Sequence, residues 1–83
     1  MKALVHVTLK PGVLDPQGKA IRNASVQLGY GAVGDVRQGK LFELELAAAS
    51  EAEARRLLTE LCEKLLANPV IEDYEIVEIA EER

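Results

Sequence analysis

The chain opens on a strict alternation. In ALVHVTL, residues 3 to 9, Ala3, Val5, Val7 and Leu9 fall on one side and Leu4, His6 and Thr8 on the other, the two-residue period of a β-strand. KPG (Lys10 to Gly12) is a turn signal that ends it. Asp15 is placed to cap a helix and Pro16 suits its first turn. The spacing predicts a helix from Pro16 to Leu28, with Ile21, Ala24, Ser25 and Leu28 on one stripe, stopped by Gly29 and Gly31. Val33 to Gln38 reads as a short strand and QGK (Gln38 to Lys40) as a tight turn. In the following LFELELA, Phe42, Leu44 and Leu46 point inward and Glu43 and Glu45 outward, so the pair reads as a hairpin.

Ser50 and Glu53 form an S-x-x-E capping box at the start of a second helix. Ala54, Leu57, Leu58, Leu61, Cys62 and Leu65 give it the strongest helical periodicity in the chain. Asn68, as a left-handed cap, and Pro69, as a stop, are expected to end it. YEIVEI (residues 74 to 79) supplies a last strand. The order β-α-β-β-α-β predicts one α+β domain over residues 1–83: a two-layer sandwich, with a four-stranded antiparallel sheet and both helices on one face. The other face is half apolar, with Leu4, His6 and Thr8 on one strand and Leu41 beside Glu43 on another. Such a face meets a second copy of itself, so a homodimer, and possible further pairing into a tetramer, is expected, with Leu4, His6 and Leu41 on the dimer face.

Composition works mainly by exclusion. A chain of 83 residues buries only about 60% of its unfolded surface, which makes subunit association a natural source of stability. Net charge is −4, the charges of both signs are interspersed, and there are three aromatic residues and no Trp. There is no basic stripe or stacking platform for nucleic acid. The acidic EIAEER at the end reads as a solvated tail. A single cysteine, Cys62, precludes an intrachain disulfide or a paired-cysteine zinc site. No apolar run has the length of a membrane span and the first residues alternate instead of forming a signal core, so a cytoplasmic protein is expected.

Several motifs imitate chemistry. GYGAVG (Gly29 to Gly34) matches G-x-G-x-x-G, but a helix precedes it and a strand follows, the reverse of the order that places a pyrophosphate on a helix N-terminus. GDVRQGK (Gly34 to Lys40) matches seven positions of a P-loop. Leu41 then replaces the magnesium-binding Ser or Thr, and a strand follows where a helix is needed. Cys62 with His6 as base is the one conceivable nucleophile pair, yet Cys62 lies on an apolar helix stripe, where a thiol is a small core residue. Glu43 and Glu45 read as the outward face of a hairpin, and NAS (Asn23 to Ser25) falls inside a helix. The residues assemble no nucleophile, base and charge stabiliser, and no metal or cofactor site.

VTLKPGVLDPQGKAI (7 to 21), VRQGKLFEL (36 to 44) and CEKLLANPVIEDYEIVEI (62 to 79) resemble the PurS family, the small non-catalytic subunits of phosphoribosylformylglycinamidine synthase. The resemblance covers almost the whole chain. It implies a purine-biosynthesis complex with a glutaminase that releases ammonia and a synthetase that uses it, with ATP and magnesium on that partner synthetase and no cofactor in this chain. It implies an adapter role between the two. Two readings of other classes are weaker: a small-molecule regulatory dimer module, and a hydrolase resembling acylphosphatases. The latter needs an Arg and an Asn after the first strand, where this chain has KPGVLDPQG. For an adapter, Leu14, Asp15 and Gln17 at the strand-to-helix joint, with Arg37 and Lys40 at the hairpin turn, are the expected contact residues. Gln17 and Arg37 are expected to be dispensable for folding. Gly18, which costs up to about 1 kcal/mol in a helix relative to Ala, suggests close approach of another chain.

Overall fold

The computed structural model describes residues 1–81; Glu82 and Arg83, the end of the expected acidic tail, lie outside them. Five elements follow in order: β1 (Lys2–Leu9), α1 (Pro16–Gln27), β2 (Gly39–Glu45), α2 (Glu51–Leu61) and β3 (Glu72–Ala80). The strands form one antiparallel sheet in the order β2-β1-β3. The expectation of four strands is corrected to three.

The missing strand is Val33 to Gln38, which is irregular. Its polar groups are engaged elsewhere. The Gln38 N–H donates to the Asp15 carboxylate at 2.7 Å, and the Arg37 guanidinium donates to carbonyls of the β1–α1 loop. Gly39 is not a turn residue but the first residue of β2, opposite Thr8. A side chain there would come within 2.7 Å of the His6 imidazole and 3.0 Å of the Thr8 methyl, so glycine lets the strand close against its neighbour.

Only one helix covers the sheet, the second correction. Ala3, Val5 and Val7 of β1 are sealed beneath Ala54, Leu58 and Cys62 of α2 and its continuation, all nearly or fully buried. Tyr74, Ile76 and Ile79 of β3 join them from the same face. The spacing 74, 76, 79 departs from a period of two because Val77 is the extra residue of a bulge opposite Leu4 and Val5. By contrast α1 buries only Gly18 and leaves Ile21, Val26 and Leu28 at 43% exposure or more. The chain is correspondingly elongated, with a radius of gyration of 16.2 Å against about 12 Å for a compact chain of this length.

The capping box at α2 forms: Ser50 accepts from the Glu53 N–H at 3.2 Å, and the Glu53 carboxylate reaches back to the Ala49 N–H. After Leu61 the helix loosens into a π-helical turn, Cys62–Leu66, closed by Ala67 N–H to Cys62 carbonyl at 3.2 Å. The wider turn rotates Leu65 outward to 73% exposure and brings Ala67 into the core. Asn68 then ends the segment by a side-chain turn, its Oδ1 accepting from the Val70 N–H. It does so without the expected left-handed backbone, since no non-glycine residue among the described residues has positive φ. No helix among the described residues is long and apolar enough to cross a membrane.

The core predicts its own sensitivities. Leu58→Ala should cost about 2–5 kcal/mol, because the site is walled on every side. Cys62→Ala, a smaller deletion, should cost about 1–2 kcal/mol. Urea unfolding of both variants beside the wild type measures these directly.

Candidate functional site

The joint between β1 and α1 is the most highly specified local structure in the molecule. Asp15 caps α1, with Oδ1 accepting from the Gly18 N–H at 2.9 Å, while Oδ2 accepts from the Gln38 N–H at 2.7 Å. One carboxylate therefore ties the start of a helix to the entrance of a strand. Asp15 is 7% exposed. Its pKa is held below the ordinary 3.8, first by the hydrogen bond from Gln38 and then by that from Gly18, with the Arg37 charge assisting and burial opposing.

Arg37 completes the joint from the other side. Its guanidinium donates to the carbonyls of Leu9, Lys10 and Val13 at 3.2–3.3 Å, a fork geometry that Arg alone supplies. The expectation that Arg37 is dispensable for folding does not fit this arrangement. Gly18 has a local cause too. A Cβ there would overlap the Val36 carbonyl oxygen and stand 2.8 Å from Asp15 Oδ2. The close approach is made by the chain's own backbone.

Leu14, Asp15 and Arg37 line one open cleft of about 500 Å³, together with Lys19 and Arg22 of α1. Leu14 projects from the joint at 69% exposure. Gln17 and Lys40 are brought together in a second hollow, of about 220 Å³, beside Glu72. Lys40 lies within β2, not in a turn, 3.6 Å from the Glu72 carboxylate. The five residues thus divide by what they do: Asp15 and Arg37 build the joint, Leu14 and Gln17 are exposed upon it, and Lys40 is exposed on β2 beside it. Sequence reasoning missed Lys19 and Arg22; their i, i+3 spacing beside a capped helix start was the available signal.

Leu4, His6 and Leu41 share the uncovered sheet face, with His6 directly opposite Leu41 in register. Leu41 is 61% exposed and the other two are half-buried. Glu43 lies beside them, 3.8 Å from Lys2. Cys62 is sealed in the core on the opposite side of the sheet from His6, so the two cannot act together. Burial, and secondarily the Glu63 charge, push its thiol pKa up, away from the reactive thiolate. GYGAVG also finds a structural use. Gly29, at φ +99°, ends α1 as its N–H bonds the Val26 carbonyl and the Tyr30 N–H bonds the Ser25 carbonyl, the Schellman arrangement.

The result is a small α+β domain whose most constrained feature is an exposed, hydrogen-bonded joint, with its thiol sealed in the core. The chain belongs to the PurS family, described as phosphoribosylformylglycinamidine (FGAM) synthase, whose model matches residues 2–80. The phosphoribosylformylglycinamidine synthase subunit PurS of Bacillus subtilis is 51% identical over 73 residues, 88% of this chain and 86% of that one. The crystal structure of Methanocaldococcus jannaschii PurS, one of the subunits of formylglycinamide ribonucleotide amidotransferase, superposes with a TM-score of 0.85 at 42% identity. That match covers 96% of this chain and 98% of the other. A chain in the structure of PurLQS from Thermotoga maritima matches with a TM-score of 0.83 at 31% identity, covering 95% and 99%.

Three outcomes test the joint. Gly18→Ala should destabilise the protein by about 1–3 kcal/mol through overpacking, although alanine is the better helix former by about 1 kcal/mol; thermal melting gives the sign. Arg37→Ala should lower the melting temperature, by about 1 kcal/mol of stability, whereas Gln17→Ala should not. Asp15 has a lower pKa folded than unfolded, so its contribution is complete above the ordinary carboxyl value and is lost as pH falls through the lowered one. The stability gap between wild type and Asp15→Asn should be constant above about pH 5 and narrow below about pH 4.

Proposed function

We propose that the chain is the adapter of phosphoribosylformylglycinamidine synthase, joining a glutaminase to an ATP-dependent synthetase and supporting ammonia transfer between them. Membership of the PurS family makes it a subunit of that enzyme. The observation that carries the adapter reading is a mismatch within the molecule. Its most constrained structure is an exposed joint, while its one thiol and one imidazole stand on opposite sides of the sheet.

The reaction explains why an adapter is useful. Ammonia released into neutral water is mostly protonated and loses its nucleophilicity, so the two active sites must be held together with water excluded. Leu14, Gln17 and Lys40 would contact the larger subunits, on a joint held in shape by Asp15 and Arg37. The face with Leu4, His6 and Leu41 would meet a second copy, giving two sets of docking residues. ATP and magnesium belong to the synthetase, this chain holds no cofactor, and the complex works in the cytoplasm.

Reconstitution with both partner subunits tests the reading. Leu14→Ala and Gln17→Ala should each lower glutamine-dependent synthesis while leaving the melting temperature nearly unchanged. Ammonia-dependent synthesis by the synthetase alone bypasses the joint and should not change. Wild-type glutamine-dependent rates in both variants would remove these residues from the contact surface.

A further inference from the structure

The chain carries more acid than base, with a net charge of −4, so its cations readily find carboxylates. Lys2, Lys10, Lys40, Arg55 and Arg56 are each ion-paired within the chain. Among the described residues Lys19, Arg22, Arg37 and Lys64 are not. All of these but Lys64 line the cleft at the joint. The uncompensated positive charge of an acidic chain is thus gathered in one place.

Each charge stays uncancelled for a local reason. Arg37 directs its guanidinium at the neutral carbonyls of Leu9, Lys10 and Val13, which orient it without neutralising it. The nearby Asp15 carboxylate is buried and occupied by two amides. Arg22 bonds only the Asn23 side-chain oxygen, at 3.5 Å, and both it and Lys19 are exposed. Asp35 stands on the same wall but pairs with none of the three. Three cations against Asp15 and Asp35 leave the cleft locally positive.

Shape and position narrow the occupant. The cleft is open, about 500 Å³, and half-buried Val13 and Val36 with exposed Leu14 give it apolar surface between the charges. A small molecule is ordinarily enclosed by its pocket, whereas an open, mixed surface suits a segment of another chain. Arg22 follows Ile21 and so points about 100° round the helix from the apolar stripe of α1. The cleft therefore remains accessible whatever covers that stripe.

We propose that this cleft receives an acidic segment of one of the larger subunits, its carboxylates against Lys19 and Arg22 and an adjoining apolar side chain against Leu14 and Val13. The inference rests on the adapter reading and adds the chemistry of the partner. The acidic remainder of the chain repels the same segment elsewhere, so charge fixes where it docks.

Binding titrations of the chain with the two larger subunits read this directly. Lys19→Glu and Arg22→Glu should each weaken assembly about fivefold, with the melting temperature unchanged because both side chains are exposed. The loss should shrink between about 0.05 M and about 0.5 M salt, as screening shortens the reach of the charges. Lys64→Glu makes the same change of charge outside the cleft and should leave assembly as in the wild type. Asp35→Asn removes the opposing carboxylate and should tighten it. Wild-type affinity in both cleft variants, an equal loss in Lys64→Glu, a loss indifferent to salt, or weaker assembly in Asp35→Asn each overturns the proposal. Calorimetry of the chain alone with inorganic pyrophosphate should show no binding; binding abolished by Lys19→Glu would give the cleft to a free anion and also overturn it. If the unaltered chain binds neither subunit, the adapter reading and this proposal fail together. If it binds and the cleft variants match it, only the acidic segment is lost.

Discussion

The fold depends on one carboxylate with two obligations. Asp15 accepts the Gly18 amide through one oxygen and the Gln38 amide through the other, so it joins the first turn of α1 to the residue just before β2. A cap on a helix needs only the first bond. The second removes residues 36–38 from the edge of the sheet and fixes where β2 begins. Arg37 then stitches the loop after β1 to the same segment. Charge-assisted hydrogen bonds of this kind are stronger than neutral ones, and here they are gathered within a few residues.

That constraint explains the shape of the molecule. With its base fixed beside the entrance to β2, α1 leaves its apolar stripe uncovered, and the core is left to α2 and three strands. A chain of this length is marginal as an isolated domain, and one that forgoes a second covering helix is more so. Exposed apolar surface of this extent is a property of chains that work in assemblies. The PurS family is such a case: related chains are named as subunits of a larger enzyme. The architecture and the assembly therefore have a common cause, a joint kept rigid at the expense of self-sufficiency.

Much of this was legible in the sequence, and the failures are informative. The alternation of residues 3 to 9 placed β1 and the burial of Ala3, Val5 and Val7, though Leu9 at its end is only half-buried, and S-x-x-E placed the start of α2. The cap at Asp15 was visible, but only its local bond; the bond to Gln38 spans 23 residues and no periodicity reports it. For that reason Val33 to Gln38 read as a strand and Gly39 as a turn. Gly18 was noticed as costly, yet which chain approached it could be told only from the fold. The stripe on α2 was right as far as Cys62, after which the π-helical turn shifted the phase and Leu65 left the core. Among the candidate contact residues, sequence could not separate Arg37, which serves the joint, from Leu14 and Gln17, which stand upon it, because exposed residues of either kind look alike until their hydrogen bonds are known.

Amide hydrogen exchange at Gly18 and Gln38 tests the central claim most directly. Both amides lie outside the sheet, and Gln38 lies outside any regular element, where exchange is ordinarily fast. If the Asp15 carboxylate holds the joint as described, both should exchange as slowly as the amides of β1, opening only with the whole domain. Rapid exchange at Gln38 beside a protected β1 would show that the segment is loose and that the joint does not set the course of α1.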